Sequence, residues 1–178
     1  MKLKLLACLA LTCSLSISLN PAAAADLTAG MKPAKLELKS AGPVAFGPDG
    51  ILFVADPLGA TVHAIATGDT GKSAKRKTVS LEAVDRKIAA ALGTAPDKIR
   101  ISDLAVNPLS GVAYLSVARG SGVAAPAAIV TVRGDQLKAL DLSSLRSASF
   151  ALSSVPDAKA STGRGRRRES ARTQAVTD

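Results

Sequence analysis

Val44-Ala45-Phe46 and Ile51-Leu52-Phe53-Val54-Ala55 are two short apolar runs joined by Gly47-Pro48-Asp49-Gly50. Proline presets φ, aspartate closes its own turn and glycine accepts a positive φ, so the chain reverses at this joint and the two runs pair as an antiparallel hairpin. The pattern returns sixty residues on. Ile101 to Val106 and Val112 to Val117 flank Asn107-Pro108-Leu109-Ser110-Gly111, a turn of the same chemistry one residue longer. Side by side, Pro43-Val44-Ala45-Phe46 matches Asp103-Leu104-Ala105-Val106, and Ile51-Leu52-Phe53-Val54 matches Val112-Ala113-Tyr114-Leu115. A hairpin used twice restricts the chain to architectures built from repeated antiparallel units.

Flanking segments extend both hairpins. Leu36 and Leu38 among Lys35, Glu37 and Lys39 give period-two patterning, which predicts a short strand within residues 26–40. Thr61 to Ala66 follows the turn residues Asp56-Pro57-Leu58-Gly59 and is closed by Gly68-Asp69-Thr70-Gly71. Ala128 to Val132 and Leu137 to Leu142, hinged at Gly134-Asp135, continue the second unit as a meander. Between the units Leu81, Val84, Ile88, Ala91 and Leu92 recur at spacings of three and four. They predict one inserted helix over 81–92, with Ser80 as N-cap and Gly93 as C-terminal stop. The class expected is mainly β: two four-stranded antiparallel meanders in sequence, as in the blades of a β-propeller. Its core is aliphatic, because hydrophobic residues make up 47% of the chain and aromatic ones only 2%.

The first 25 residues read as an export signal. Lys2 and Lys4 precede the apolar run Leu5 to Leu11, too short for a membrane anchor, and Pro21 with Ala22 to Ala25 supplies small residues for cleavage near Ala25. The expected location is periplasmic or secreted, with no integral membrane segment after cleavage. Cys8 and Cys13 both fall in this segment, so the mature chain has no disulfide and no thiolate chemistry. Lipidation at Cys8 or Cys13 is the lesser alternative, since Cys8 comes too early and Thr12 precedes Cys13.

The formal charge of +9 is concentrated near the end, where Lys159, Arg164, Arg166, Arg167, Arg168 and Arg172 face only Glu169 between residues 158 and 173. Ser161, Gly163, Gly165 and Ser170 punctuate this stretch and no aromatic interrupts it, so residues 156–174 are expected to be a basic, flexible, solvated loop. Without aromatics for stacking, nucleic acid is not an expected partner. An anionic envelope polymer bound through Arg164, Arg166, Arg167 and Arg168 is one alternative function.

Residues Gly42 to Asp56, with their Pro-Asp-Gly turn, resemble the blade motif of NHL-repeat and gluconolactonase-like (senescence marker protein-like) β-propellers, and Ser102 to Gly120 is similar. The resemblance covers residues 41 to about 142 and implies blades: about two within residues 26–155. Gln174 to Asp178 resembles the start of a strand like Arg100 to Asp103, so residues 175–178 are expected to begin a third blade that is cut short. Another chain, or missing blades, would then complete the propeller, and the chain alone is expected to be poorly soluble or partly disordered beyond residue 155.

The resemblance also implies a divalent cation on the innermost strands of a complete parent protein. Where that family opens with Glu-Gly-Pro this chain has Ala41-Gly42-Pro43, and Ser102 stands where an asparagine ligand is expected. No cofactor, metal ligand or catalytic residue is therefore assigned. Candidate ligand-binding residues are Asp56, Asp103, Asn107 and Arg119, with the loops Asp56 to Gly59 and Arg119 to Gly122 at one end of the meanders. Turn formation is the simpler role for Asp56 and Asn107. The only histidine, His63, lacks a second histidine or cysteine nearby. The function expected is a non-enzymatic binding or scaffold module; a metal-dependent, lactonase-like hydrolase whose ligands lie mostly in missing blades is the other alternative.

Overall fold

A computed structural model describes residues 26–71, 80–120, 122, 125–157, 159–162 and 169–174. The expected export segment, the four arginines from Arg164 to Arg168 and residues 175–178 lie outside them.

Among the described residues the fold is mainly β, with two main antiparallel sheets, a short two-stranded pair and one α-helix. The first sheet joins β1 (Lys32–Ala34), β2 (Val44–Phe46), β3 (Ile51–Asp56) and β4 (Thr61–Ala66) to the distant β9 (Leu145–Ala151), in the order β1-β9-β4-β3-β2. The second is a plain meander of β5 (Ile99–Val106), β6 (Ala113–Arg119), β7 (Ala127–Arg133) and β8 (Gln136–Ala139).

Both predicted hairpins form, and in the same register. Val44 opposes Val54 and Phe46 opposes Leu52 in the first; Leu104 opposes Leu115 and Val106 opposes Ala113 in the second. These are the pairs that the internal alignment equates. The first joint is a single 3-10 turn over Pro48–Gly50 in which Asp49 and Gly50 both take positive φ, 54° and 71°.

Three expectations need correction. The first unit is not four strands in sequence. After β4 the next described element is a helix, and the edge of β4 is filled by β9, with Thr61 opposite Ala151 and His63 opposite Ser149. The period-two stretch around Lys35 to Lys39 lies just beyond β1 and is not itself a strand; Leu36 is anchored by its N–H donating to the Leu142 carbonyl (2.8 Å) and is buried between the sheets. The helix α1 (Val84–Leu92) starts three residues later than its apolar spacing suggests, because Ala83 occupies the N-cap in the left-handed region and Ser80 makes no cap. Its stop is as expected: Gly93 has φ 64° and donates its N–H to the Ala89 and Ala90 carbonyls.

Alternation along the strands gives each sheet two faces. Val44, Leu52, Val54 and Ile65 of the first sheet meet Val112, Tyr114 and Ile129 of the second, and the ring of Phe46 stands edge-on to that of Tyr114 at 5.1 Å between centroids. Full burial of an aliphatic side chain stabilises by roughly 1.5–3 kcal/mol, so this inner layer dominates the energetics. The bulge between Ile101 and Asp103 turns the Asp103 carboxylate inward, where Oδ2 accepts the N–H of Val44 at 2.8 Å and ties β5 to β2. On the far side of the second sheet, Ile88 of α1 covers Leu115, Val117, Val130 and Val132. On the far side of the first, Met31 covers Ile51 and Ala64.

The described residues within 156–174 include a short strand pair. The strands β10 (Ser161–Thr162) and β11 (Glu169–Ser170) pair, and the Arg172 guanidinium in the following 3-10 turn donates to the Pro156 carbonyl at 2.8 Å.

Candidate functional site: a polar recess between the sheets

Past Ala66 the chain crosses from the first sheet to the second through Thr67-Gly68-Asp69. The Thr67 hydroxyl donates to the Gly50 carbonyl (2.7 Å) and accepts the Asp69 N–H (3.1 Å), folding the segment against the first hairpin turn. Gly50 is required here on two counts: its φ of 71° and the Asp69 carbonyl only 3.0 Å from where a Cβ would stand.

Asp69 is the hub. Its Oδ2 accepts the Ser110 hydroxyl at 2.5 Å, with longer contacts from the Tyr114 hydroxyl and Asn107 Nδ2, both at 3.3 Å. Its Oδ1 accepts Nη2 of Arg133 at 3.0 Å. Its main-chain carbonyl accepts Nδ2 of the fully buried Asn107 at 2.7 Å, while Asn107 Oδ1 accepts the Leu109 N–H at 2.9 Å and shapes the second hairpin turn. One carboxylate thus gathers donors from a turn and two strands of the opposite sheet.

Burial alone would raise the Asp69 pKa, but the bonds from Ser110 and Arg133, together with the Arg133 charge, outweigh it and hold the carboxyl below the usual aspartate value. Tyr114 moves the other way: burial first, then the neighbouring Asp69 charge, raises its phenol.

Beside this hub lies an open recess of about 300 Å³ lined by Thr67, Asp69, Val112, Tyr114, Thr131 and Arg133. The Thr131 hydroxyl donates to the Lys138 carbonyl at 3.2 Å. Each hydroxyl in the recess has given its hydrogen to the protein and keeps lone-pair capacity, while the guanidinium has N–H groups beyond the one on Asp69.

The four residues chosen from the sequence are not brought together. Asp56 is buried at the far end of β3 and its oxygens are taken by the Lys39 N–H (2.8 Å), the Ser40 hydroxyl (2.7 Å) and the Gly59 N–H (2.9 Å), so it fixes its turn. Asp103 fixes an edge, as above. Arg119 is exposed at the end of β6 away from the recess. Only Asn107 belongs to the Asp69 network. Arg164, Arg166, Arg167 and Arg168 are outside the described residues.

His63 points into the inner layer, where one nitrogen, Nδ1, meets the Ser149 hydroxyl at 2.8 Å and Nε2 has no partner among the described residues. Burial pushes its pKa down against the opposing pull of Asp56.

Among the described residues no three His, Cys, Asp or Glu side chains come together to hold a metal ion, and Ala41 and Ser102 offer no carboxylate or amide at the positions that the propeller resemblance implies. No helix among them is long and apolar enough to cross a membrane. Compared with known proteins, the chain matches no protein-family model, no curated protein and no solved structure.

Proposed function

We propose that the chain is a propeller-type binding module working outside the cytoplasm, and that the ligand it takes in the Asp69 recess is a small hydroxylated molecule, a sugar or a polyol. The observation that carries this reading is the composition of the recess. Asp69 and Arg133 neutralise each other, so there is no net charge to hold an ion. What is left for a ligand is a set of guanidinium donors facing the acceptor lone pairs of Thr67, Tyr114 and Thr131. A hydroxyl group both donates and accepts, and satisfies both kinds of partner at once. Export, expected from residues 1–25, would bring the module into contact with envelope saccharides.

The recess is small and open, so a single sugar unit should bind with a Kd of roughly 0.1–10 mM, about 3–5 kcal/mol. Calorimetric titration with a panel of mono- and oligosaccharides and polyols tests it. Saturable heat that is lost in Arg133→Ala and reduced in Thr131→Val supports the assignment. No saturable heat from any member at about 10 mM, a concentration that would half-fill even a site worth under 3 kcal/mol, contradicts it.

A further inference from the structure

The two sheets repeat not only in sequence but face for face. Under the alignment that equates Val44 with Leu104, Phe46 with Val106, Phe53 with Tyr114 and Val54 with Leu115, the strand pairing keeps one register. The inner face of the first sheet, bearing Val44, Phe46, Leu52 and Val54, therefore corresponds to the outer face of the second, bearing Leu104, Val106, Ala113 and Leu115. Conversely the inner face of the second sheet, with Ala105 and Tyr114, corresponds to the outer face of the first, with Ala45 and Phe53. The interface inside the molecule joins two unlike faces, and an equivalent of each is present again on the outside.

Those outer equivalents are bare along the inner-edge strands. Leu104 is 52% exposed and Val106 53%, although their counterparts Val44 and Phe46 pack in the inner layer. Phe53 is 37% exposed, whereas its counterpart Tyr114 is buried against Phe46. Helix α1 covers only the part of the second sheet's outer face around Leu115, Val117, Val130 and Val132, leaving the β5 strip with Ile101, Leu104 and Val106 open. In the internal interface β5 lies against β2. The open strips are thus the ones that would meet again.

We propose that the partner for these strips is a second copy of the same chain, docked head to tail, with Leu104 and Val106 of one copy against Ala45 and Phe53 of the next in continuation of the internal sheet-to-sheet interface. Such a contact joins unlike surfaces, so it extends to further copies until it closes or is capped. It does not depend on the recess at Asp69, which is on the inner side of the sheet pair.

Sedimentation of the purified chain over a range of concentrations, combined with two variants each spoiling one strip, tests the proposal. Leu104→Lys removes one strip and Ala45→Lys the other; both positions are exposed, and tyrosine emission and circular dichroism verify that each variant is folded. Phe53→Ser serves as a second variant on the Ala45 strip. The wild type is expected to gain mass with concentration, each variant alone to stay monomeric, and an equimolar mixture of Leu104→Lys with Ala45→Lys to form a dimer that grows no further, since each supplies the strip the other lacks. A wild type that remains monomeric at hundreds of micromolar overturns the proposal and leaves the strips to an unrelated partner. Either folded variant associating alone as the wild type does also overturns it, because that requires a contact between like faces.

Discussion

Replacing Asp69 by alanine removes the hub that ties the first sheet to the second. The ion pair with Arg133 contributes little, about 0–1 kcal/mol, because the guanidinium is 66% exposed even though the carboxylate is only 11% exposed. The bond from the Ser110 hydroxyl is the strong one: it is short, partly buried and charge-assisted, worth roughly 1.5–3 kcal/mol. The contacts from Tyr114 and Asn107, at 3.3 Å, are too long to add much, and Asn107 keeps its bond to the main-chain carbonyl. The expected loss is about 2–4 kcal/mol at neutral pH, against under about 1 kcal/mol for Arg133→Ala. For a domain of this size that lowers Tm by roughly 4–16 °C. The chain has one tyrosine and no tryptophan, so denaturation followed by tyrosine emission reports on Tyr114 beside the hub itself. The pH dependence has a defined sign. The folded-state pKa of Asp69 is lowered, so its contribution is complete above the unfolded aspartate value and disappears as pH falls through the lower folded value. The wild-type and Asp69→Ala stability curves should therefore converge in strong acid. A loss below about 1 kcal/mol at pH 7, or equal losses for Asp69→Ala and Arg133→Ala, would refute the reasoning.

Further outcomes follow from the same geometry. Asn107→Ala should cost about 2–4 kcal/mol in urea denaturation, because it strips partners from the Asp69 carbonyl and the Leu109 N–H at a fully buried position. Leu52→Ala, in the inner layer with no exposed surface, should cost about 3–5 kcal/mol, measured the same way. His63 has a lowered folded pKa, so the unfolded chain binds its proton first; stability should decline as pH drops below about 6.5, and His63→Leu should remove that decline. Gly50→Ala should destabilise by more than about 1 kcal/mol in thermal unfolding, from its positive φ and the close Asp69 carbonyl.

What the sequence disclosed depended on how local the cause was. Pro48, Asp49 and Gly50 dictate a reversal by themselves, and so do Asn107 to Gly111, which is why both hairpins and their common register could be read. Strand β9 was invisible for a different reason. Its positions opposite Ile65 and His63 are the polar Ser147 and Ser149, half-buried and exposed, so its apolar alternation is weak. The start of α1 was misplaced because Leu81 keeps the apolar period although Ala83 breaks the backbone. The recess was hidden more thoroughly. Asp69 carries the mark of a turn residue and Tyr114 that of a strand residue, and nothing in either neighbourhood announces Arg133, 64 residues beyond Asp69. Asn107 was a candidate through its turn chemistry, and the same side chain links that turn to Asp69. Asp56 and Asp103 were noticed for their positions at strand ends and satisfy main-chain donors there.

Both the Asp69 recess and the two open strips require the sheets to meet through the faces bearing Phe46 and Tyr114. With one tyrosine and three phenylalanines in the chain, selective labelling makes ring-to-ring nuclear Overhauser effects unambiguous. The rings of Phe46 and Tyr114, 5.1 Å apart between centroids, should give a strong cross-peak in the dilute chain, and Phe53 and Phe150 should give none to Tyr114. A cross-peak from Phe53 or Phe150 to Tyr114, with none from Phe46, would mean that the first sheet packs through its other face.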